Sequence, residues 1–340
     1  MPRVAVVILN WNGTDYLKKY LPSVITHTDP GLADIFIADN GSTDQSVEWV
    51  IHNHPQVRII RLDQNWGFAE GYNLALSKIQ SQYYLLLNSD VEVTPNWLKP
   101  LVKILDTDLS VGACMPKIKS LHDRSSFEYA GAAGGFIDKY GYPFCRGRIL
   151  NHTEKDHGQY DNSIDIFWAS GACLLIRSEL YLSSGGLDPF FFAHMEEIDL
   201  CWRLKNMGHR IRFCHESEVF HLGGGTLPKK NHRKTYLNFR NNLILIIKNL
   251  PPGKVTMICI ARLILDMIAA LYFLIKLDPG ESFAVLHAYF SIMTNPGKIL
   301  RKRRELVRKV HPSGHREIYP HSIVWNFYIR KIKEFDKLSF

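Results

Sequence analysis

The stretch VAVVILNWNG at positions 4–13 decides the fold, because a continuous apolar run stops abruptly at polar residues and a glycine. Three more runs of this kind follow, at 35–39, 57–62 and 83–88. Strands of a parallel sheet that is covered on both faces are apolar almost throughout. Helical patterns separate the runs, at 14–26, 45–53 and 69–81. This alternation predicts an α/β fold on a mostly parallel sheet, with Ser42 or Thr43 capping the second helix.

Polar residues follow each predicted strand at its carboxyl end. They are Asn10-Trp11-Asn12, the run DNGSTD at 39–44, Asn65-Trp66-Gly67 and Asn88-Ser89-Asp90. Open parallel sheets bind ligands beyond this edge. Asp39 can accept a hydrogen bond from the imide N–H of a pyrimidine base, and Trp11 can stack on that base. The two residues predict a nucleoside pocket.

Asp90, the last residue of the motif Asn88-Ser89-Asp90 after the fourth predicted strand, is a candidate metal ligand. Asn88 and Asp90 place two oxygen-bearing side chains at positions i and i+2. This spacing suits Mg²⁺ or Mn²⁺ bridging a diphosphate, because these ions take one or two protein oxygens plus phosphate oxygens and water. His221, shortly before the glycine triplet at 223–225, is a further candidate ligand.

The middle of the chain predicts a second group of functional residues. Strands at 164–168 and 173–177 flank the segment ASGA at 169–172, and a helix follows at 196–207 with Gly208 just beyond its end. Asp199 and Arg203 are four residues apart and predict an ion pair, while Glu196 and Glu197 fall in the first turn, where the helix dipole favours carboxylates.

Composition and charge limit the class of protein. With 340 residues, 46% apolar and 22% charged, the chain has an average globular composition. Its six cysteines are scattered without a C-x-x-C pair, and the first apolar run is too short for a secretory signal, so we expect a cytoplasmic protein. The net charges of residues 1–96, 97–226 and 227–340 are −4, −2 and +14. This asymmetry predicts a catalytic domain at 1–226 and a helical, membrane-associating extension at 227–340.

The extension contains one long apolar segment, 255–275. Its 21 residues could span a bilayer, but Arg262 and Asp266 nearly cancel the insertion energy of its eleven Val, Ile, Leu and Phe residues. Basic residues flank it at Lys229-Lys230, Arg233-Lys234 and 298–309. We expect docking on an anionic membrane surface at the inner face of the plasma membrane. A single span, or a helix packed on the catalytic domain, remains as an alternative.

The ordered motifs together resemble those of family 2 glycosyltransferases, especially the bacterial rhamnosyltransferase type that builds surface polysaccharides. The motifs are Asn10-Trp11-Asn12, DNGSTD at 39–44, Asn65-x-Gly67, Asn88-Ser89-Asp90, Ser170-Gly171-Ala172 and EEIDLCWR at 196–203. The resemblance implies a Rossmann-like, A-type glycosyltransferase fold, an inverting mechanism, a nucleotide-diphosphate sugar donor and a divalent cation, Mg²⁺ or Mn²⁺. It also implies a lipid-linked or glycan acceptor, a sugar such as rhamnose, and no nucleic-acid partner.

The resemblance also assigns roles to single residues. Asp39 would bind the donor base, Asp90 the metal, and Glu197 would be the catalytic general base. The remaining candidates are the donor-binding Asn10, Trp11, Asn65, Gly67, Asn88 and Ser89, the metal ligand His221, and the acceptor-side Gly171 and Glu196. Two positions depart from the family pattern. Asn88 stands where the metal motif often begins with Asp, and Glu197 stands where Asp is common.

Two alternatives belong to other functional classes. A nicotinamide-dependent oxidoreductase also begins with a βαβ unit, but the residues after Leu9 lack the G-x-G-x-x-G loop. A non-catalytic basic protein could use the cluster at 298–309, with seven basic residues and one acid, to bind nucleic acid or membrane.

Overall fold

A computed structural model describes residues 3–223, 232–310 and 312–340 of the chain. Four parallel strands come first along the chain: β1 (Val4–Asn10), β2 (Ala33–Asp39), β3 (Arg58–Arg61) and β4 (Tyr83–Asn88). They lie side by side in the order β3-β2-β1-β4. The side chains of β1 and β4 are almost all buried, and burial on both faces of the sheet explains the continuous apolar runs in the sequence. The four predicted strands are confirmed.

Three helices connect these strands: α1 (Thr14–His27), α2 (Ser46–Asn53) and α3 (Gly67–Leu76). The predicted cap of α2 is wrong. Neither Ser42 nor Thr43 caps it, because both lie in a preceding turn, and Asp44 instead accepts the N–H of Ser46 through Oδ1 at 3.1 Å. Gly67 begins α3 two residues earlier than predicted, where Asn65 Oδ1 accepts its N–H at 2.8 Å.

The chain then extends the sheet and adds a second, smaller one. The next elements are β5 (Val91–Val93), α4 (Lys99–Thr107), β6 (Val111–Ser120), β7 (Gly135–Asp138), β8 (Pro143–Cys145), β9 (Arg148–Ile149) and β10 (His152–Thr153). After them come β11 (Asp165–Ile166), β12 (Cys173–Arg177), α5 (Ser178–Ser184), α6 (Glu196–Asn206) and β13 (Arg210–His221). The large sheet has the order β11-β13-β6-β12-β4-β1-β2-β3, and β5 pairs with β13. Only β12 runs against both of its neighbours inside this order, β4 and β6.

The last part of the chain contains more than helices. Its elements are α7 (His232–Asn249), α8 (Pro252–Ile275), α9 (Pro279–Thr294), α10 (Pro296–Lys309), β14 (Ile318–Tyr319) and α11 (Ile323–Tyr328). Strand β14 pairs in parallel with β7 and completes the small sheet β10-β9-β8-β7-β14. Phe335 and Phe340 pack on Phe136 of β7, with ring centroids 5.0 and 5.3 Å away.

These contacts change the expected organisation of the extension. The predicted boundary at 226/227 and the pair Lys229-Lys230 lie outside the described residues. Leu245 and Ile246 of α7 are fully buried in the same hydrophobic core as the large sheet. The sequence predicted a helical extension, but residues 312–340 also add β14 to the small sheet and pack on it. Membrane association of the extension stays a prediction. The charge of residues 227–340 differs from that of the rest of the chain, but the described residues from 232 onward pack into the same core.

Candidate active site

Asn10 and Asp39 form the centre of the edge where β1 and β2 end. The parallel register places the two residues opposite each other. The Asn10 amide Nδ2 donates to the hydroxyls of Ser42 at 3.1 Å and Ser46 at 2.9 Å, and lies 3.4 Å from Asp39 Oδ1. Asp39 Oδ1 also accepts the N–H of Ser42 at 3.3 Å. Asn10 therefore holds the turn that follows β2, and it lies beside the carboxylate expected to bind the base.

The turn at 39–44 is held from the β1 side as well. Asn12 Oδ1 accepts the N–H groups of Thr43 at 2.7 Å and Asp44 at 3.3 Å. Burial opposes ionisation of Asp44, but hydrogen bonds from Ser46 and Thr14 outweigh it and lower the pKa of this carboxyl. Trp11, with 54% of its surface exposed, lies at the rim of this turn. An exposed indole beside a fixed polar turn can stack on a flat ligand.

The motif at 65–67 joins the same edge through Asn40. Asn40 Nδ2 donates to Asn65 Oδ1 at 3.1 Å and to the Gly67 carbonyl at 3.0 Å. Gly67 has a φ of +75°, and a Cβ placed there would lie 3.8 Å from the ring of Phe192. The motif thus begins α3 and brings the loop before α6 close to the edge of the sheet.

Asp90, His221 and Glu128 form a buried row at the end of β4. Strand β5 pairs with β13 so that His221 lies opposite Val91, next to Asp90. His221 Nε2 is 3.1 Å from Asp90 Oδ1 and 3.5 Å from Asn88 Nδ2, and Nδ1 is 3.3 Å from Glu128 Oε2. Burial lowers the pKa of His221, but hydrogen bonds to Asp90 and Glu128 outweigh burial and raise the pKa to about 10. The fold brings His221, which is distant in sequence, to both Asn88 and Asp90. Ser89 is half-buried.

The residues around Asp90 fit a divalent cation that shares its ligands with a substrate. Mg²⁺ and Mn²⁺ commonly take one or two protein groups and complete their shell with phosphate oxygens and water. Asp90 could supply one ligand, and Nε2 of His221 could supply a second if the cation replaces the proton that this nitrogen shares with Asp90. A ligating histidine usually donates its other N–H to a carboxylate, as Glu128 would allow. Among the described residues, no three His, Cys, Asp or Glu side chains form a group that could hold a metal. Asp90 and His221 are two possible protein ligands, and phosphate oxygens and water would have to complete the shell of a bound cation.

Glu196 and Glu197 begin α6 on the other side of the site. Gly171 packs against Glu197, since a Cβ at Gly171 would lie 3.7 Å from the Glu197 Cβ. The Oε2 atoms of both glutamates are buried and have no hydrogen-bond partner among the described residues. Glu196 is the more buried of the two, and Glu197 is half-buried. An unpartnered carboxylate oxygen is available to accept a proton from a bound molecule.

The pKa values of Glu196 and Glu197 are shifted to different extents by their surroundings. Burial, together with the neighbouring Glu197, raises the pKa of Glu196 well above its ordinary value. Burial also raises the pKa of Glu197, to about 6, although N–H groups at the start of α6 partly offset it. A carboxylate with a pKa near 6 can act as a general base close to neutral pH. Glu197 fits that role better than Glu196.

The loop that leads into α6 has an unusual backbone. Phe192, His194 and Met195 have positive φ angles of 66°, 69° and 77°. Bulky residues rarely adopt this conformation, which costs on the order of 1–3 kcal/mol each. The surrounding structure must stabilise the loop, and part of that support comes from α7. Asn241 Nδ2 lies 2.8 Å from the carbonyl oxygens of Phe191, Ala193 and His194.

A buried ion network also joins α6 to α7. The predicted pair of Asp199 with Arg203 is confirmed, at 2.8 Å. Lys248 of α7 lies 2.8 Å from the same Asp199 oxygen and 2.7 Å from Asp188, and it lowers the pKa of both carboxyls against the effect of burial. Asn249 Nδ2 donates to the second oxygen of Asp199 at 2.9 Å. Both ends of the loop before α6 are thereby attached to α7.

Three residues with contacts at this site escaped the sequence analysis: Glu128, Asn241 and Lys248. No pattern around Glu128 distinguishes it from other acidic residues of the middle segment. The α7 residues did leave a signal. Asn241 and Lys248 are seven residues apart, as are Asn242 and Asn249, in an otherwise apolar stretch. Polar residues repeating on one face of an apolar helix indicate buried partners.

Replacing Asn241 with Leu should lower kcat by about tenfold and leave donor affinity unchanged. The substitution removes the donor to three loop carbonyls, and a misplacement on the order of 1 Å can cost ~10²-fold in rate. Steady-state kinetics and a nucleotide-binding titration measure the two quantities. Asn53→Leu is the matched control, because Asn53 is exposed and donates to the Trp49 carbonyl within its own helix. Full activity in a folded Asn241→Leu protein would refute a positioning role for Asn241.

Comparison with known proteins identifies similar sequences. Residues 5–180 match the family model "Glycosyl transferase family 2". The N-acetylglucosaminyl-diphospho-decaprenol L-rhamnosyltransferase of Mycobacterium tuberculosis (strain H37Rv) is 24% identical over 257 residues, which cover 68% of this chain and 82% of that protein. Rhamnosyltransferase WbbL of Escherichia coli K12 is 22% identical over 229 residues, 64% of this chain and 83% of the relative.

Solved structures show a similar fold. GalNAc-T7, crystallised with UDP, GalNAc and Mn²⁺, has a TM-score of 0.57 and 18% identity, covering 75% of this chain and 49% of that one. The mannosyltransferase PcManGT of Pyrobaculum calidifontis, in complex with GDP-Man and Mn²⁺, has a TM-score of 0.51 and 16% identity, covering 92% and 81%.

Proposed function

The chain belongs to glycosyl transferase family 2 and has the A-type glycosyltransferase fold, and we propose that it is an inverting, cation-assisted enzyme of cell-surface glycan synthesis. It transfers a sugar, such as rhamnose, from a nucleotide-diphosphate donor to a lipid-linked or polysaccharide acceptor. Similarity to two rhamnosyltransferases supports this choice of sugar and acceptor. The family match disfavours both the oxidoreductase and the non-catalytic basic protein.

One observation carries the proposal: the free Oε2 of Glu197 beside Gly171. The loop that leads to this residue approaches the polar edge of the sheet through Phe192, which lies against Gly67. A donor bound along the edge and an acceptor bound against Glu197 would meet between them. We assign donor binding to Asn10, Trp11, Asp39, Asn65, Gly67, Asn88 and Ser89.

The proposed reaction is a single displacement at the anomeric carbon. Glu197 Oε2 takes the proton of an acceptor hydroxyl while that oxygen forms its bond to the carbon. The bond from the carbon to the diphosphate oxygen breaks on the opposite face, and the nucleoside diphosphate leaves with the electron pair. A divalent cation held by Asp90 and His221 would offset the charge that develops on this leaving group. Gly171 and Glu196 shape the acceptor side.

A donor screen tests the proposal directly. Purified protein is incubated with uridine and deoxythymidine diphosphate sugars, with and without Mn²⁺, and release of nucleoside diphosphate is measured. We expect cation-stimulated hydrolysis of one nucleotide class. Absence of hydrolysis and of transfer for every donor would contradict the proposed function.

Helix α8 bears on how the enzyme meets its acceptor. Among residues 3–223, 232–310 and 312–340, it is the single helix long and apolar enough to cross a membrane. Its polar pair is tied inward: Arg262 donates to the Tyr140 carbonyl at 3.1 Å, and Tyr142 donates to Asp266 at 2.6 Å. Crossing a bilayer would break these contacts with the small sheet. We therefore propose that α8 lies along the membrane surface.

The opposite face of α8 suits this placement. It exposes a row of apolar side chains: Ile260, Leu263, Ile264, Ile268, Leu271 and Ile275. The basic cluster of α10 contributes less than its sequence indicates, because Lys302 and Arg303 bind groups outside α10 and Arg301 lies 3.7 Å from Glu305 within it. Lys302 binds Asp188 at 2.8 Å, and Arg303 donates to the Ile247 carbonyl at 2.6 Å. Arg301, Arg304 and Arg308 are exposed.

Changing Arg301, Arg304 and Arg308 together to Gln should weaken binding to anionic vesicles by about 100-fold. Each cation near such a surface contributes about 1 kcal/mol, and 1.4 kcal/mol corresponds to tenfold. Vesicle sedimentation at low and high salt measures the effect. The control, Lys18→Gln with Lys19→Gln, removes two exposed charges from α1 and should change little. Protein that resists high salt and comes off only with detergent would show instead that α8 spans the membrane.

A further inference from the structure

An open groove of about 730 Å³ lies between α7 and α9. Its lining includes His232, Arg233 and Tyr236 of α7, and Phe283, His287 and Phe290 of α9. None of the residues predicted to bind donor, cation or acceptor sugar lines it. The groove is therefore distinct from the site described above.

The walls of the groove are apolar and its floor is fixed. Phe283 and Phe290 leave 67% and 64% of their surfaces exposed, which is unfavourable for aromatic side chains facing water. The Tyr236 and His287 rings stack with centroids 4.6 Å apart, and the Tyr236 hydroxyl donates to Ser291 at 3.1 Å. An apolar chain could fill this groove without rearranging its floor.

The end of the groove beside the start of α7 carries cationic and polar groups. His232 Nδ1 lies 3.3 Å from Glu281 of α9. The start of α9 approaches this side chain closely, since a Cβ at Gly280 would lie 2.5 Å from the His232 ring. The Arg233 guanidinium lies 5.0 Å from the ring centroid of Phe192. An arginine at this position can bind a phosphate group.

This cationic end borders the candidate active site. Phe192, the neighbour of Arg233, also lies against Gly67 of the donor edge and belongs to the loop that leads to Glu197. A molecule whose apolar tail lies in the groove would therefore present its head group toward the general base. The exposed apolar face of α8 continues beside α9, so such a tail could enter from a membrane.

We propose that the groove binds the isoprenoid chain of a polyprenyl-diphosphate-linked acceptor, with Arg233 placed toward the diphosphate. The proposal rests on the proposed glycosyltransferase function and specifies its acceptor class. Three features of the groove match such a molecule. The apolar walls suit the isoprenoid chain, and the cation at the end next to the active site suits the diphosphate. The opening toward the membrane-facing helices suits a chain that is anchored in a bilayer.

The test compares two acceptors with the same sugar diphosphate, one on a long polyprenyl chain and one on a short alkyl chain, both in detergent micelles. The double variant Phe283→Asp with Phe290→Asp should raise KM for the long-chain acceptor at least tenfold. It should leave KM for the short-chain acceptor and the rate of donor hydrolysis unchanged. The control, Leu109→Asp, alters an exposed apolar residue between α4 and β6, outside the groove and away from α8, and should change neither KM in micelles.

A binding measurement without donor separates this proposal from the proposed function. Fluorescent polyprenyl diphosphate should bind the parent protein and bind the double variant at least tenfold more weakly, with Arg233→Gln also weaker. Equal effects on both acceptors, or unchanged binding of the fluorescent probe, would overturn the groove assignment. Parent protein that binds the probe but hydrolyses no nucleotide sugar would support the groove and contradict the glycosyltransferase reaction.

Discussion

Glu197→Gln should reduce sugar transfer by about 10²- to 10⁴-fold while donor binding persists, as expected for loss of one general base. The amide has nearly the same shape as the carboxyl group but cannot take a proton from the acceptor. The N–H groups at the start of α6 that contact this side chain are retained, and Asp39 and Asp90 lie on other elements. Transfer assays and nucleotide titration measure the two quantities.

Glu196→Gln is the matched control for the general base. The neighbouring carboxyl of Glu196 is buried, and burial together with the charge of Glu197 raises its pKa well above the ordinary value, so the neutral amide resembles the form that this environment favours. We expect a much smaller loss of rate. If Glu196→Gln abolishes transfer and Glu197→Gln does not, the assignment is wrong by one residue.

The pH dependence of the parent enzyme provides a second readout. Since burial raises the pKa of Glu197 to about 6, transfer should fall as the pH decreases through 6, where the base becomes protonated. The same shift acts on stability with the opposite sign. A raised pKa in the folded state means that stability is lost as the pH rises through 6. Glu197→Gln should therefore melt at a higher temperature than the parent at pH 8.

The polar edge of the sheet could be predicted from the sequence because its cause is local. An apolar run indicates a buried strand, and parallel strands bring the residues after them to one edge. Asn10, Asp39, Asn65 and Asp90 were found in this way. Glu128 could not be found, because it meets His221 only through the pairing of β13 with β5 and β6.

The role of the last third of the chain was harder to predict, because the net charge of a segment does not show which of its charged side chains form ion pairs within the protein. Lys248 and Lys302 add to the basic excess, yet both are bound to Asp188. A buried charge needs an opposite charge beside it, and the partner of these two lysines is distant in sequence. The same holds for Asn241, whose acceptors lie in a loop about fifty residues earlier.

Asp90→Ala should remove both the cation dependence and the tight binding of the nucleoside diphosphate. Asp90 is the only charged residue of its motif, and the cation would lose the carboxylate that holds it beside the diphosphate. Stabilisation of leaving-group charge by a metal amounts to several kcal/mol, so transfer should fall by about 10²- to 10³-fold. Calorimetric titration of Mn²⁺ with and without nucleotide, together with transfer rates, measures both effects.

Two further variants separate cation binding from general loss of charge. Glu92→Ala removes a carboxylate two residues away that pairs with Arg124 at 2.7 Å, and it should leave Mn²⁺ binding unchanged. Glu128→Gln keeps both ligands but weakens the contact that orients His221, so it should lower Mn²⁺ affinity by about 10- to 100-fold. Transfer by the parent that is insensitive to chelators would refute the role of Asp90, because basic side chains would then have to neutralise the diphosphate.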